Sequence, residues 1–335
     1  MGEYADLEIS LHRHDAESYL LEFRFIQPNS DADIRLGQGE QILTRINLEE
    51  LQQIYYDPVN YGKRLSEYLF ADPRARNAFE QARTSAQILD VPIRLRLLVG
   101  ASAPELHGLR WETLLDPLDD SPLTTREDFL FSRYLSSSDC RPVKSRSKGD
   151  LRALVLIANP SDLADHKLAP VDEEGEFARA RNGLGDIPVI QIMGEENDKR
   201  ATLDNLIETL RHPENGAFDI VYLICHGAMV KDEPWLWLEN EQGEVDRISG
   251  NELVTRLNEL TQCPRLVILA SCQSAGSSAG DALSALGPRL ARSGIPAVIA
   301  MQGNISMETV AKFMPVFFNE LNHDGQIDRA MAVGR

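Results

Sequence analysis

From residue 151 onward, short apolar runs alternate with amphipathic helical stretches, and this alternation restricts the chain more than any other feature. LRALVLIANP, IPVIQIM, FDIVYLICHG, RLVILASC and IPAVIAMQG read as strands. Between them VDEEGEFARARNGL, TLDNLIETLRHP, NELVTRLNEL and ALSALGPRLARSG read as helices, and METVAKFMPVFFNELN follows the last strand. Ser249-Gly250-Asn251-Glu252 is a capping box that opens one of these helices. Strands separated by helices of this length are joined by crossovers, which makes a mostly parallel sheet. Near-continuous apolar strands such as IVYLI and LVILA belong to a sheet covered on both faces. WLWLENEQGEV alternates instead and reads as a hairpin.

The first 135 residues show another pattern. ADLEISLHRH and SYLLEFRFIQ alternate with period two across a short polar connection, the signature of a β-hairpin. QILTRI and VPIRLRLLVG are further strands, and FLFSRYL closes the region. Asn47 precedes a helical stretch with Glu50 at its third position, and Asp57-Pro58 and Asp72-Pro73 interrupt the helical pattern beyond it. Residues 136–150, SSSDCRPVKSRSKGD, are polar, basic and Ser-rich. The chain of 335 residues is therefore divided into a β-rich α+β region (1–135), a linker (136–150) and an α/β domain (151–335). Because IDRAMAVGR ends inside a helical pattern, the full protein is expected to continue beyond it.

Charge and cysteine content narrow the function. The net charge of −18 repels a phosphate backbone, so direct nucleic-acid binding is not expected. No apolar run reaches the roughly 18 residues of a membrane span, and no charged-then-apolar leader opens the chain. The four cysteines, Cys140, Cys225, Cys263 and Cys272, form no C-x-x-C pair. These features predict a cytoplasmic protein without a membrane partner, in a reducing compartment where a free thiol persists.

Two of the strands end in reactive residues followed by small ones: IVYLI runs into Cys225-His226-Gly227, and LVILA into Ser271-Cys272-Gln273-Ser274. In an open parallel sheet, ligands bind beyond the carboxyl ends of the strands. One His-Gly is by itself a turn feature, and one cysteine in a strand is packing. Together they form a nucleophile and the imidazole that takes its proton. Gly227, lacking a Cβ, lets its N–H approach a scissile carbonyl, and with the N–H of Cys272 it completes an oxyanion hole. His226 and Cys272 are expected to face each other across a cleft, about 3–7 Å apart in the unbound state. Cys225 should point to the opposite side of its strand, into the core. The mechanism needs no metal or organic cofactor.

The order of these pieces resembles the CHAT peptidases, caspase-fold cysteine peptidases related to caspases, separases and metacaspases. The spacing of His226 and Cys272 is close to the roughly 50 residues of the caspase signature, although Ala270-Ser271-Cys272-Gln273-Ser274 is looser than Q-A-C-[RQG]-G. LICHG, LASCQSAG, ARSGIPAVIAMQG and METVAKFMPVFFNEL carry the likeness, and ELHGLRWETLLDP followed by FLFSRYL resembles the L-x-W-E-x-L-x-D-P segment that precedes the catalytic half. The resemblance implies a three-layer caspase-like sandwich around a mostly parallel sheet, preceded by a pseudo-caspase-like half. It implies His226 as general base and acid, Cys272 as nucleophile, and Gly227 and Cys272 as oxyanion donors.

It also implies a prokaryotic signalling or anti-phage defence protein. Such a protein is a latent endopeptidase, switched on by a sensor domain or partner and directed at a dedicated protein substrate. A catalytically idle caspase-fold scaffold for protein assembly is the alternative. Two departures concern the substrate pocket. Gly303 and Met307 replace an aromatic and an acid after the last strand, and Ala270 stands where metacaspases carry an Asp. A pocket for a basic residue before the scissile bond then needs another acid: Asp281 or Glu308, with Asp232 and Glu233 after the His loop behind them. The absence of a further Arg cluster beyond Arg289 and Arg292 points to a basic or uncharged residue there.

Overall fold

Strands β1 (Ala5–Arg13) and β2 (Tyr19–Ile26) form the expected hairpin, with Leu7 opposite Phe25 and Leu11 opposite Leu21. The computed structural model describes residues 4–30, 32–37, 39, 41–135, 148–194, 199–213, 216–231, 233–270, 277–301 and 307–335. Side chains are described for the same residues except 148, 277–284 and 307. They fall into two units, Met1–Leu135 with His323–Arg335, and Ser136–Asn322.

In the first unit, β3 (Asp33–Leu36) and β4 (Ile42–Thr44) share the outer edge of β2. On the other side β5 (Ile93–Val99) runs parallel to β1, and β6 (Phe129–Tyr134) parallel to β5. Period-two alternation puts Leu7, Ile9, Leu11, Phe23, Phe25, Leu95 and Leu97 in one core. Helices α1 (Leu48–Gln53), α2 (Pro58–Leu69) and α3 (Pro73–Ile88) add Leu51, Leu65, Leu69 and Phe79 to it.

The two Asp-Pro pairs that interrupt the helical pattern are helix starts. Asp57 and Asp72 accept the N–H of Asn60 and Arg74, and each proline takes the first helical position, where no N–H is needed.

The segment ELHGLRWETLLDP contains two 3-10 turns, and its Trp, Glu and Asp side chains are structural. Trp111 is fully buried and donates Nε1–H to the Leu106 carbonyl at 2.8 Å. Glu112 takes both Nε and Nη2 of Arg133, at 2.8 and 2.5 Å. Burial pushes its carboxyl up, and Arg133 more than offsets this, leaving it below the ordinary value. Asp116 accepts from Arg83 at 2.6 Å. Gly62 on α2 lets the Thr113 carbonyl come so close that a Cβ would lie 2.1 Å from its oxygen. Residues 323–335, assigned by sequence to the second region, pack with the first unit, where Asp328 lies 3.7 Å from Arg94 and Arg335 sits over Phe131.

The second unit is built on a parallel sheet. Its strands are β7 (Ala153–Ile157), β8 (Val189–Ile192), β9 (Ile220–Ile224), β13 (Leu266–Ala270) and β14 (Ala297–Ala300), in the spatial order β14-β13-β9-β7-β8. Crossovers run through α4 (Glu173–Leu184), α5 (Leu203–Arg211) and α7 (Ser277–Arg292), and α8 (Met307–Asp324) follows β14. Between β9 and β13 the chain makes a separate antiparallel sheet, β10 (His226–Val230), β11 (Glu233–Glu239) and β12 (Val245–Ser249), and then α6 (Gly250–Asn258). The expected hairpin is β11–β12, and Ser249 caps α6 through the Glu252 N–H.

Every residue of β7, β9 and β13 is buried. Leu154, Leu156, Val221, Leu223, Val267 and Leu269 share a core with Leu206 and Ile207 of α5, Leu253 and Leu257 of α6, and Leu286 and Leu290 of α7. The alternate residues Val155, Tyr222 and Ile268 are buried too, which accounts for apolar runs without alternation. The chain is thus a mixed α/β protein with a parallel sheet. The last helix is α9 (Ile327–Gly334). Among the described residues no helix is long and apolar enough to cross a membrane.

Candidate active site

The strand order creates the site. From β7 the chain moves outward to β8 on one side, and then from β9 outward to β13 and β14 on the other. The β7–β9 boundary is therefore the switch point, where the connections leave in opposite directions and open a crevice at the carboxyl ends. His226 follows β9, and the segment 158–172 follows β7.

The run FDIVYLICHG is not one strand. It ends as β9 at Ile224, Cys225 is the transition, and His226 is the first residue of β10 in the other sheet. Cys225 is fully buried beside Val221 and Leu223, facing the core as expected. Burial pushes its thiol up to about 12, so almost no thiolate exists at neutral pH. Iodoacetamide at pH 7.5 should leave Cys225 unmodified in the folded chain and alkylate it once urea unfolds the domain. Peptide mass mapping reads the difference, and rapid native labelling of Cys225 would contradict its burial.

His226 is completely buried, and its Nε2 lies 2.8 Å from the Ala169 carbonyl. A carbonyl only accepts, so Nε2 carries the proton and Nδ1 keeps the lone pair. Nδ1 is buried and finds no hydrogen-bond partner among the described residues. Burial lowers the His226 pKa, and the Ala169 carbonyl opposes this in part. The side chain is a neutral base at neutral pH, with its basic nitrogen free of any partner among the described residues.

The β10–β12 sheet holds this ring in a cross-strand row. His226 is opposite Trp237, and Trp237 is opposite Arg247, so the three share one face. Arg247 stacks over the Trp237 ring at 5.8 Å, and Trp237 Nε1 is likewise without a partner among the described residues. The other face carries Leu236, Leu238 and Ile248 into the core. Arg247 Nη2 donates to His166 Nδ1 at 3.2 Å, and His166 Nε2 lies 3.4 Å from Asp162. Asp162 in turn accepts the Val245 N–H at 2.7 Å, and Ser161 donates N–H and O–H to the Gly243 carbonyl. The loop that supplies the Ala169 carbonyl is thereby tied to the hairpin that carries Trp237.

Cys272 lies outside the described residues, and with it the expected separation from His226. The strand that leads to it is described: β13 is parallel to β9, with Ala270 paired with Ile224. Cys272 and His226 each follow two residues after that pair in sequence. Gly227 is buried in β10 opposite Leu236.

Of the acids considered for a substrate pocket, Asp232 lies outside the described residues, as does the side chain of Asp281 in α7. Glu308 is exposed in the first turn of α8 and pairs with Lys312 at 2.6 Å, a solvated i,i+4 contact of little energetic weight. Glu233 accepts from Arg289 at 2.5 Å and from the Asn251 N–H, which ties the hairpin to α6 and α7.

Ala169 and Trp237 escape a sequence reading. A backbone carbonyl acceptor has no residue signature, and a Trp in an alternating strand reads as packing. Among the described residues no group of three His, Cys, Asp or Glu side chains is placed to hold a metal ion.

Comparison with protein families matches residues 59–335 to the CHAT domain. No curated protein and no solved structure matches the chain.

Proposed function

The chain belongs to the CHAT-domain family of caspase-like cysteine peptidases, and on that premise we propose that it is a cysteine endopeptidase acting through His226 and Cys272. The observation that carries the reading is the state of His226: Nε2 is engaged by Ala169, while Nδ1 is a buried base with no hydrogen-bond partner among the described residues, at the switch point of the sheet. The level ends of β9 and β13, at Ile224 and Ala270, support placing the thiol on the same edge.

In this reading Nδ1 of His226 takes the proton of Cys272, and the thiolate attacks the scissile carbonyl carbon. The oxyanion rests on the N–H groups of Gly227 and Cys272, where one donor contributes about 3 kcal/mol. Nδ1–H then protonates the departing amine and leaves a thioester. The freed Nδ1 takes a proton from water as it attacks, and hydrolysis releases the acid and restores the thiol. The fold would be the three-layer sandwich of caspases, with the first unit as its pseudo-caspase-like half.

The rest of the proposal concerns context. The protein is a latent enzyme of prokaryotic signalling or anti-phage defence, in the cytoplasm. A sensor domain or partner protein activates it, and it cuts a dedicated protein after a basic or uncharged residue. Asp281 and Asp232 remain the acids for a basic pocket. The Lys312 pair makes Glu308 the weakest of the three.

The test is labelling with a library of peptidyl acyloxymethyl ketones that vary in the residue before the warhead. Covalent capture at Cys272, dependent on that residue and absent in His226→Ala, is the expected result. Equal labelling of Cys272 by every member, unaffected by His226→Ala, would instead support the idle scaffold.

A further inference from the structure

Glu239 closes β11 and is only 2 % exposed, yet nothing in the reaction uses it. Its oxygens each take one backbone N–H: Asn159 donates to Oε1 at 3.0 Å, and Ala201 to Oε2 at 3.2 Å. Its own N–H donates to the Ala201 carbonyl at 3.0 Å. Burying a carboxylate is unfavourable unless it is hydrogen-bonded, and here two donors converge on one side chain. A carboxylate satisfies both, because it accepts at both oxygens, whereas an amide would turn an NH2 group toward one of them.

Asn159 continues the connection. Its Oδ1 accepts the Val171 N–H at 2.8 Å. One side chain therefore joins the two ends of the loop that follows β7, and its backbone joins that loop to the hairpin through Glu239. Ala169, whose carbonyl holds His226 Nε2, is two residues before Val171. A carbonyl at hydrogen-bond distance favours the proton on Nε2 and leaves the lone pair on Nδ1, so its position bears on the tautomer.

We propose that Asn159 and Glu239 are positioning residues for His226: together they lock the 159–171 loop so that the Ala169 carbonyl selects the Nε2–H tautomer. The proposal rests on His226 as the base, but its primary readout needs neither substrate nor activator.

The experiment is long-range 1H–15N correlation on the full chain with 15N-labelled histidine rings, the His226 signals being assigned by their loss in His226→Gln. The wild-type chain should show one Nε2–H tautomer. In Asn159→Ala and Glu239→Gln the two ring nitrogen shifts should move toward each other, and Nε2–H should exchange with solvent about tenfold faster or more. Asn159→Asp, which keeps an acceptor for the Val171 N–H, should stay near wild type.

With a peptide chosen from the probe library, kcat should fall about 10- to 100-fold while KM stays within about twofold. Unchanged ring shifts and exchange in both folded variants would overturn the proposal. If Glu239→Gln loses its melting transition, Asn159→Ala, which removes one hydrogen bond, decides alone. Retained cleavage in His226→Ala would instead remove His226 as the base of the reaction, and the tautomer result would still report whether Asn159 and Glu239 position the ring.

Discussion

Cys272→Ala should abolish hydrolysis of a fluorogenic peptide carrying the residue selected by the probe library, and His226→Ala should lower kcat/KM by about three orders of magnitude or more. The reasoning is chemical. Without the thiol no covalent intermediate forms. Without the imidazole the thiol keeps its proton at neutral pH, and the leaving amine departs unprotonated. The double variant should be no worse than Cys272→Ala, because the two side chains act in one step and their effects are not additive. KM should change little in His226→Ala, since a proton carrier contributes to the transition state more than to ground-state binding. Full activity in either single variant would remove the dyad from consideration.

Trp111→Ala should destabilise the first unit by about 3–5 kcal/mol, the range for removing a large buried aromatic. The indole is fully buried and donates its N–H to Leu106, so truncation leaves a cavity and removes one hydrogen bond, while the Leu106 carbonyl keeps the Leu109 N–H. Trp111→Phe keeps most of the ring volume and loses the hydrogen bond, and should fall between wild type and Ala. Urea titration followed by far-UV circular dichroism measures the loss. Trp235 and Trp237 fluorescence reports the second unit separately, so a shift confined to the first unit is recognisable. A loss below about 1 kcal/mol, accompanied by a large fall in cleavage, would make Trp111 part of the site instead of part of the core.

This bears on how the resemblance should be used. The Trp-Glu-x-Leu-x-Asp-Pro residues serve packing and pairing in this chain: Trp111 fills the first core, Glu112 anchors Arg133, and Asp116 anchors Arg83. A family motif and a catalytic motif are different things, and burial with satisfied partners tells them apart.

Much of the architecture was legible from local pattern. Period-two alternation located β1, β2 and β5, and unbroken apolar runs located β7, β9 and β13. Asn47 and Ser249 announced their helices, because capping is a contact over three residues. The path of the last helix was not legible, since nothing local in IDRAMAVGR says which unit it will pack against.

The sequence by itself determined that a parallel sheet would form, that a His-Gly and a Cys would follow two of its strands, and that Cys225 would face the core; that those strands are neighbours is seen in the pairing of β9 with β13. Only the tertiary structure decided that His226 opens a strand of a second sheet, beside Trp237 and Arg247, and that its Nε2 is held by Ala169. The reason is physical. Periodicity and caps are written in side chains a few residues apart, whereas a carbonyl oxygen is chemically the same at every position. Which one reaches the imidazole depends on the path of the chain, and that path brings together residues far apart in sequence, such as Asn159 and Glu239, joined by a hydrogen bond of 3.0 Å.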